Sequence, residues 1–289
     1  MSWRVVIITK RCKLEYRLGF MVCRGEDTKK IYINEISTLI VENTAVSMTS
    51  ALLCELIKNK TNVIFCDEKH NPHSQLLSLY GRHDDSGMIR NQVKWTQENK
   101  DYAWKLIVKN KIYQQYLFLK ELQSDKSELL YEYITQVEDG DITNREGHSA
   151  KVYFNALFGI GFKRGRTDLI NSALNYGYAI LLSAFNREVV SSGYLTQLGV
   201  NHTNEFNHFN LSCDLIEPFR ILVDRKVYFS EFDSFNSDFK HELGNILNLN
   251  VRICSKVYCV SDAISIYTKR ILNALSTGDF SEVAFYENL

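Results

Sequence analysis

The chain has 289 residues, 34 Lys+Arg balanced by 34 Asp+Glu, an apolar share of 45% and only two prolines, Pro72 and Pro218. That composition excludes long linkers and disorder and leaves one large domain or two modest ones. Zero net charge does not exclude nucleic acid, because a local basic face matters more than the total. No apolar run approaches the roughly 18 residues of a membrane span.

Residues 1–70 read as β-rich. Val5–Ile8 is a short β-branched run, too brief for a secretory signal core of about 7–15 residues. Leu14, Tyr16, Leu18 and Phe20 alternate with Glu15, Arg17 and Gly19, the period of a strand. Gly25-Glu26-Asp27 supplies a turn, Ile31 and Ile33 a returning strand, and Leu39-Ile40-Val41 a third run. The period then changes, and Ser50 caps a helix carrying Leu52, Leu53, Leu56 and Ile57. Val63–Cys66 reads as the last buried strand. The expected fold class is α+β: a small β-rich N-terminal domain with one inserted helix (residues 1–72), a linker (73–87) and a larger all-α domain (88–289).

From Met88 onward the period is helical. Val93, Trp95, Ala103, Trp104, Ile107 and Val108 mark one or two amphipathic helices. Lys94, Lys100, Lys105, Lys109 and Lys111 decorate them as a solvated face, with a phosphate-contacting strip as the functional alternative. Another short helix follows from Ser127 to Val137, and Asp139-Gly140-Asp141 breaks it. Next, Ala150, Tyr153, Phe154, Leu157 and Phe158 form an inward stripe. Glu146 lines up with that stripe. It also completes T-x-x-E with Thr143, a capping box, which is the better reading of the local pattern. Three cations, Lys163, Arg164 and Arg166, sit in a glycine-bordered turn that suits a DNA backbone; Arg82 and Arg90 are further candidates. Thr167 opens a long helix through Phe185, and another ends at Gly199.

The stretch 198–220 reads LGVNHTNEFNHFNLSCDLIEPFR. His202 lies in a polar loop, and Asp214 and Glu217 follow at i, i+3 on one face of a new helix. A loop histidine facing carboxylates suits a hard metal ion, and Glu146 is the best further acid. Asp214 is equally an N-cap. The chain holds seven cysteines and no C-x-x-C pair, which argues against a zinc ribbon and for free thiols in a reducing cytoplasm.

Taken together, these elements resemble a known family: the CRISPR-associated integrase that inserts new spacers into the repeat array. The matching pieces are Glu146-Gly147 with Tyr153-Phe154, Asn171 with Leu174 and Tyr178, Gly199-x-x-His202, and Asp214 to Arg220. Segments Glu35–Ile40 and Ser50–Leu53 match in the N-terminal half. The polar insert Thr203–Asn210 looks like the type II branch. The resemblance implies metal ligands at Glu146, His202 and Glu217, with glutamate where many members carry aspartate at the last position. Asp214 becomes an accessory acid, and Mg²⁺ or Mn²⁺ the cofactor.

The activity so implied is metal-dependent joining of prespacer 3′-hydroxyl ends to the repeat by transesterification. The alternatives are a metal-dependent nuclease on branched DNA and a non-catalytic DNA-binding scaffold. Implied partners are double-stranded DNA, a second copy through the N-terminal domain, and a small companion protein bridging two dimers. A ring-forming DNA-binding protein and a single-chain RNA-guided effector nuclease complete the set. No membrane is involved.

Overall fold

The computed structural model describes residues 4–230 and 235–289. First come β1 (Arg4–Ile8), β2 (Lys13–Arg17), β3 (Phe20–Arg24), β4 (Thr28–Tyr32), β5 (Ile36–Val41), β6 (Ser47–Met48), α1 (Ser50–Lys58), β7 (Asn62–Cys66) and β8 (Pro72–Leu76). They build two four-stranded sheets, ordered β1-β5-β7-β8 and β4-β3-β2-β6. Side chains on β5 and β7 alternate between two cores, as period-2 strands must. Leu39, Val41 and Val63 pack with Leu14, Met21 and Leu52 inside the β-rich part. Ile40, Ile64 and Cys66 face the helices. A strand buried on both faces reads as a continuous apolar run, which is why Leu39–Val41 and Val63–Cys66 stand out in the sequence.

Several local expectations shift. The alternating run Leu14–Phe20 is not one strand but the hairpin β2–β3, folded at Leu18-Gly19 with φ of 48° and 85°. Positive φ at both central residues is the two-residue hairpin turn that matches strand twist; alternation continues through so short a turn, so the period hides it. Gly25–Asp27 does join β3 to β4. Val63–Cys66 is followed by β8, which Pro72 opens at a sheet edge, where a missing N–H costs nothing. The stretch 73–87 is therefore not uniformly linker: it holds most of β8 and the start of the next helix. Thr49, not Ser50, caps α1, its hydroxyl accepting from the Leu52 amide.

The remainder is α2 (Asp85–Val93), α3 (Gln97–Glu121), α4 (Ser127–Thr135), α5 (Arg145–Phe158), α6 (Leu169–Ser191), α7 (Asn210–Leu215), α8 (Arg220–Tyr228), α9 (Ser237–Gly244) and α10 (Val260–Thr277). A small sheet joins them: β9 (Asn250–Ile253), β10 (Lys256–Cys259) and β11 (Glu287–Asn288), in the order β10-β9-β11. Asp168, rather than Thr167, caps α6. No separate helix ends at Gly199: α6 runs on to Ser191, and the positive φ falls at Gly193.

Two long helices organise this half. α3 packs on α4 and α5, and α6 on α7, α8, α9 and α10. At Gly177 the backbones of α6 and α8 come so close that a Cβ would stand 2.4 Å from Val223 Cγ1. The β-rich part is fastened to α6 by polar bonds as well as packing: Asn62 Nδ2 donates to Ser183 Oγ at 2.9 Å, and Gln75 Nε2 to the Ser183 carbonyl at 2.7 Å. Among the described residues no helix is long and apolar enough to cross a membrane.

Candidate metal centre

Glu146 stands in the first turn of α5, but it closes no capping box. Asn144, held at φ 52°, caps the helix by accepting from the Gly147 amide at 3.2 Å. The Asp141 carboxylate takes the amides of Arg145 and Glu146, both at 2.9 Å. Thr143 Oγ1 is buried without a partner. With its neighbours serving the helix end, Glu146 turns toward α3.

Glu217 and Asp214 do not open one helix. Asp214 lies in the last turn of α7. Glu217 begins a 3₁₀ turn, Glu217–Phe219, that leads into α8. Pro218 explains the break, because its ring removes an amide that a continuous helix would bond. The break separates the roles of the two acids.

Glu146 and Glu217 meet on one cation. The Lys111 ammonium, from α3, donates to Glu146 Oε1 and to Glu217 Oε2, and Arg220 Nε donates to Glu217 Oε1 at 2.9 Å. Lys111 is only 6% exposed, so its expected place on a solvated face is overturned. It falls in register with Trp104, Ile107 and Val108 on the buried side of α3, and that register was the available sequence signal. Burial would push Glu217 up, but Arg220 and then Lys111 outweigh it and hold the carboxyl below the ordinary range. Burial likewise pulls Lys111 down, and the charges of Glu217 and Glu146 bring it back above its usual value.

Asp214 is fully buried and organises the histidine loop. Its Oδ2 accepts from the amides of Val200 (2.6 Å) and Asn201 (3.1 Å), and its Oδ1 from the His202 amide (3.0 Å). The same Oδ1 meets His202 Nδ1 at 2.5 Å. This is no helix cap but a carboxylate that folds a loop around itself. Gly199 is required there, since a Cβ would meet the His202 carbonyl oxygen at 2.3 Å and Asp214 Oδ2 at 2.8 Å. The Asp214 hydrogen bond raises the His202 pKa against the pull of burial, with the charges of Asp214, Glu217 and Glu146 adding to it. With Nδ1 engaged, Nε2 is the nitrogen left for another partner. Trp104 meets the imidazole edge-on at 5.8 Å.

The donor set fits a hard divalent ion: two carboxylates from separate elements already share one cation, and an oriented imidazole lies within reach of their charge. His202 itself does not close on them in this structure. Among the described residues no three His, Cys, Asp or Glu side chains stand together as a metal-holding group.

Beside the carboxylates is a cavity of about 240 Å³, lined among others by Gln115, Arg164, Tyr178, Arg220 and Asp224. Arg164 and Arg220 both lie over the Tyr178 ring, at 5.2 and 4.6 Å. Arg164 also donates to the side chains of Asn171 and Asn175, the latter at 2.6 Å. Of the five basic residues expected to meet DNA, Arg164 alone enters this centre. Lys163 and Arg166 are exposed on the turn that carries it, Arg90 is exposed on α2, and Arg82 is paired with Asp84 at 2.8 Å.

Asp224 lines the same cavity and accepts from the Tyr178 hydroxyl. Burial lifts its pKa from 3.8 to about 6. A carboxyl whose folded pKa exceeds its unfolded one stabilises while it stays protonated and loses that advantage as pH rises between the two values. Asp224→Asn should therefore melt higher than the parent above pH 6, by an amount on the order of 2–3 kcal/mol at most. The gain should shrink toward pH 4. Thermal melts at pH 4.5 and 7.5 check this; an equal gain at both would refute it.

Comparison with known proteins decides the family. The model of the family described as CRISPR associated protein Cas1 matches residues 5–252. The chain belongs to the Cas1 family. A relative named CRISPR-associated endonuclease Cas1, from Neisseria meningitidis serogroup C (strain 8013), is 33% identical over 229 residues, covering 78% of this chain and 75% of that one. Two solved structures share the Cas1 fold. One is a casposase bound to integration product, with a TM-score of 0.77 at 18% identity, covering 96% of this chain and 92% of that one. The other is a chain of a Cas6-RT-Cas1–Cas2 complex, with a TM-score of 0.71 at 16% identity, covering 97% of this chain and 36% of that one. The Cas1 fold accounts for the order seen here, β-rich first and helical after. Lys111, Gln115 and the pairing of Arg220 were not read from the sequence as parts of the centre.

Proposed function

We propose that this chain is a metal-dependent DNA integrase of CRISPR adaptation, of the type II branch, joining 3′-hydroxyl ends of short prespacer DNA to the repeat. The observation that carries this reading is the shared cation position between Glu146 and Glu217 in a chain of the Cas1 family. Glu146, His202 through Nε2, and Glu217 are the ligands. A Mg²⁺ or Mn²⁺ ion there supplies polarisation of the phosphoryl oxygen and stabilisation of developing charge. Asp214 holds His202 in one tautomer and orientation. Arg164 and Arg220 line the cavity and put two fixed positive charges beside a phosphate entering it. Lys163 and Arg166 extend the same turn toward the backbone on either side. The attacking 3′-hydroxyl gives up its proton as its oxygen bonds phosphorus, and the departing 3′ oxygen of the repeat takes one up. One phosphodiester replaces another, so no energy source is needed.

Double-stranded DNA is the substrate, and its contacts are mostly to the backbone, because spacer sequences differ. A Cas2-like companion is supported by the Cas6-RT-Cas1–Cas2 complex, one chain of which has the same fold. Association of two copies through the β-rich residues 1–72 belongs to the same proposal and rests on the family resemblance. The helical residues from 88 onward are then the catalytic part. A hydrolytic reading is favoured by one finding, the endonuclease name of the Neisseria relative. Water in place of the 3′-hydroxyl serves it at the same site. The test is product analysis with Mn²⁺, a labelled 3′-hydroxyl duplex and a repeat duplex. Labelled strands longer than the labelled input are expected, with a shortened repeat strand released; shortened strands alone, with no lengthened labelled strand, would leave only the nuclease.

A further inference from the structure

Lys111 stands where the two carboxylates hold a cation, and this has a consequence for how an ion can enter. Its stem is enclosed by the buried face of α3, and its ammonium bonds Glu146 Oε1 and Glu217 Oε2 at once. Two carboxylates brought that close cannot both remain ionised without a positive charge between them. A divalent ion bound by the same oxygens takes the same place, so the ammonium has to leave as the ion arrives.

The structure offers a destination. Gln115 is one turn further along α3, at i+4 from Lys111 and on the same face. It is 1% exposed, and its Oε1 is buried with no hydrogen-bond partner among the described residues. Lys111 and Gln115 line the same cavity. An orphaned buried carbonyl oxygen is costly and calls for an explanation. A flexible ammonium a turn away, with three donors to offer, supplies one.

Resting on the metal reading above, we propose that Lys111 is a displaceable internal cation: it holds Glu146 and Glu217 together in the ion-free protein, and moves to Gln115 Oε1 when a divalent ion takes its place. Lys111 is then a positioning residue. It keeps the ligand pair assembled, makes the ion compete for its site, and leaves its charge in the cavity beside Arg164 and Arg220, where a phosphate arrives.

The test is calorimetric titration of the full chain with Mn²⁺, alongside thermal melts with and without the ion. Lys111→Met is expected to bind Mn²⁺ on the order of tenfold more tightly than the parent, as removal of a competitor should. Its ion-free form should melt lower, with a larger rise on adding Mn²⁺. Gln115→Leu is expected to weaken Mn²⁺ binding several-fold in the parent, roughly the lower end of such couplings, and to change nothing in the Lys111→Met background. Should Lys111→Met fold only with Mn²⁺ present, the competition is supported, and Lys111→Gln supplies the affinity comparison. A folded Lys111 variant that binds no more tightly overturns the proposal, as does a Gln115→Leu effect of equal size in both backgrounds. If neither the parent nor the Lys111 variants take up Mn²⁺, the metal assignment itself has failed.

Discussion

Glu217→Gln is expected to lower strand joining by about three orders of magnitude or more, while DNA binding survives. The size follows from the role proposed for the carboxylate: removing a single charge-stabilising group from such a centre costs on the order of 10²–10³, and Glu217 is a proposed ion ligand besides. The substitution changes one oxygen to an amide, so shape is kept. It also leaves Lys111 and Arg220 short of their shared partner, and an uncompensated buried cation destabilises by roughly 3–5 kcal/mol. Circular dichroism must therefore accompany the joining assay. Glu146→Gln provides the cleaner control, because the Glu146 side chain is 30% exposed against 7% for Glu217. Both variants should lose Mn²⁺-dependent joining and retain salt-sensitive binding of duplex DNA. Joining at near-parental rates by both, in folded protein, would remove these residues from the chemistry.

Asp214→Ala is expected to have the second largest effect, and to act through stability first. Asp214 accepts three backbone amides and the His202 imidazole from a fully buried position. Alanine leaves those donors facing an apolar hole, at about 1–3 kcal/mol for each one that water cannot reach. A loss of roughly 3 kcal/mol or more should lower the melting temperature by about 6–12 °C in a chain of this size. What remains folded should join strands poorly, because His202 then has neither a fixed tautomer nor a fixed loop. Asp214→Asn separates the two roles: it keeps the volume but offers a single acceptor oxygen, so activity should fall further than stability. A melting temperature for Asp214→Ala within a degree or so of the parent would show that the loop does not depend on this carboxylate.

Local pattern carried most of the fold. Short apolar runs found the strands β1, β5 and β7, and the change to period 3.6 found α1, α3, α5 and α6. The runs stand out because those strands are covered on both faces, the helices because one buried face repeats along the chain. Pattern failed where two conformations preserve the same alternation, as at Leu18-Gly19, and where several short polar residues compete for one helix end. Thr143, Asn144 and Asp141 are such competitors, and which of them caps depends on backbone angles that their order does not reveal. The small sheet of β9, β10 and β11 was missed for another reason: strands of four residues and fewer carry too little alternation to register.

The candidate centre divides in the same way. Glu146, His202, Asp214 and Glu217 were legible as candidates for one centre from residue type and from resemblance to a family. That Asp214 folds the histidine loop while Glu217 faces a lysine from α3 was decided only in three dimensions, because Pro218 breaks the helix between them. Lys111 shows the limit most plainly. Its register marks it as buried, but nothing along α3 says what it is buried against. Burial is a property of one face and is written locally; the partner across that face comes from a distant part of the chain, and packing alone brings it there.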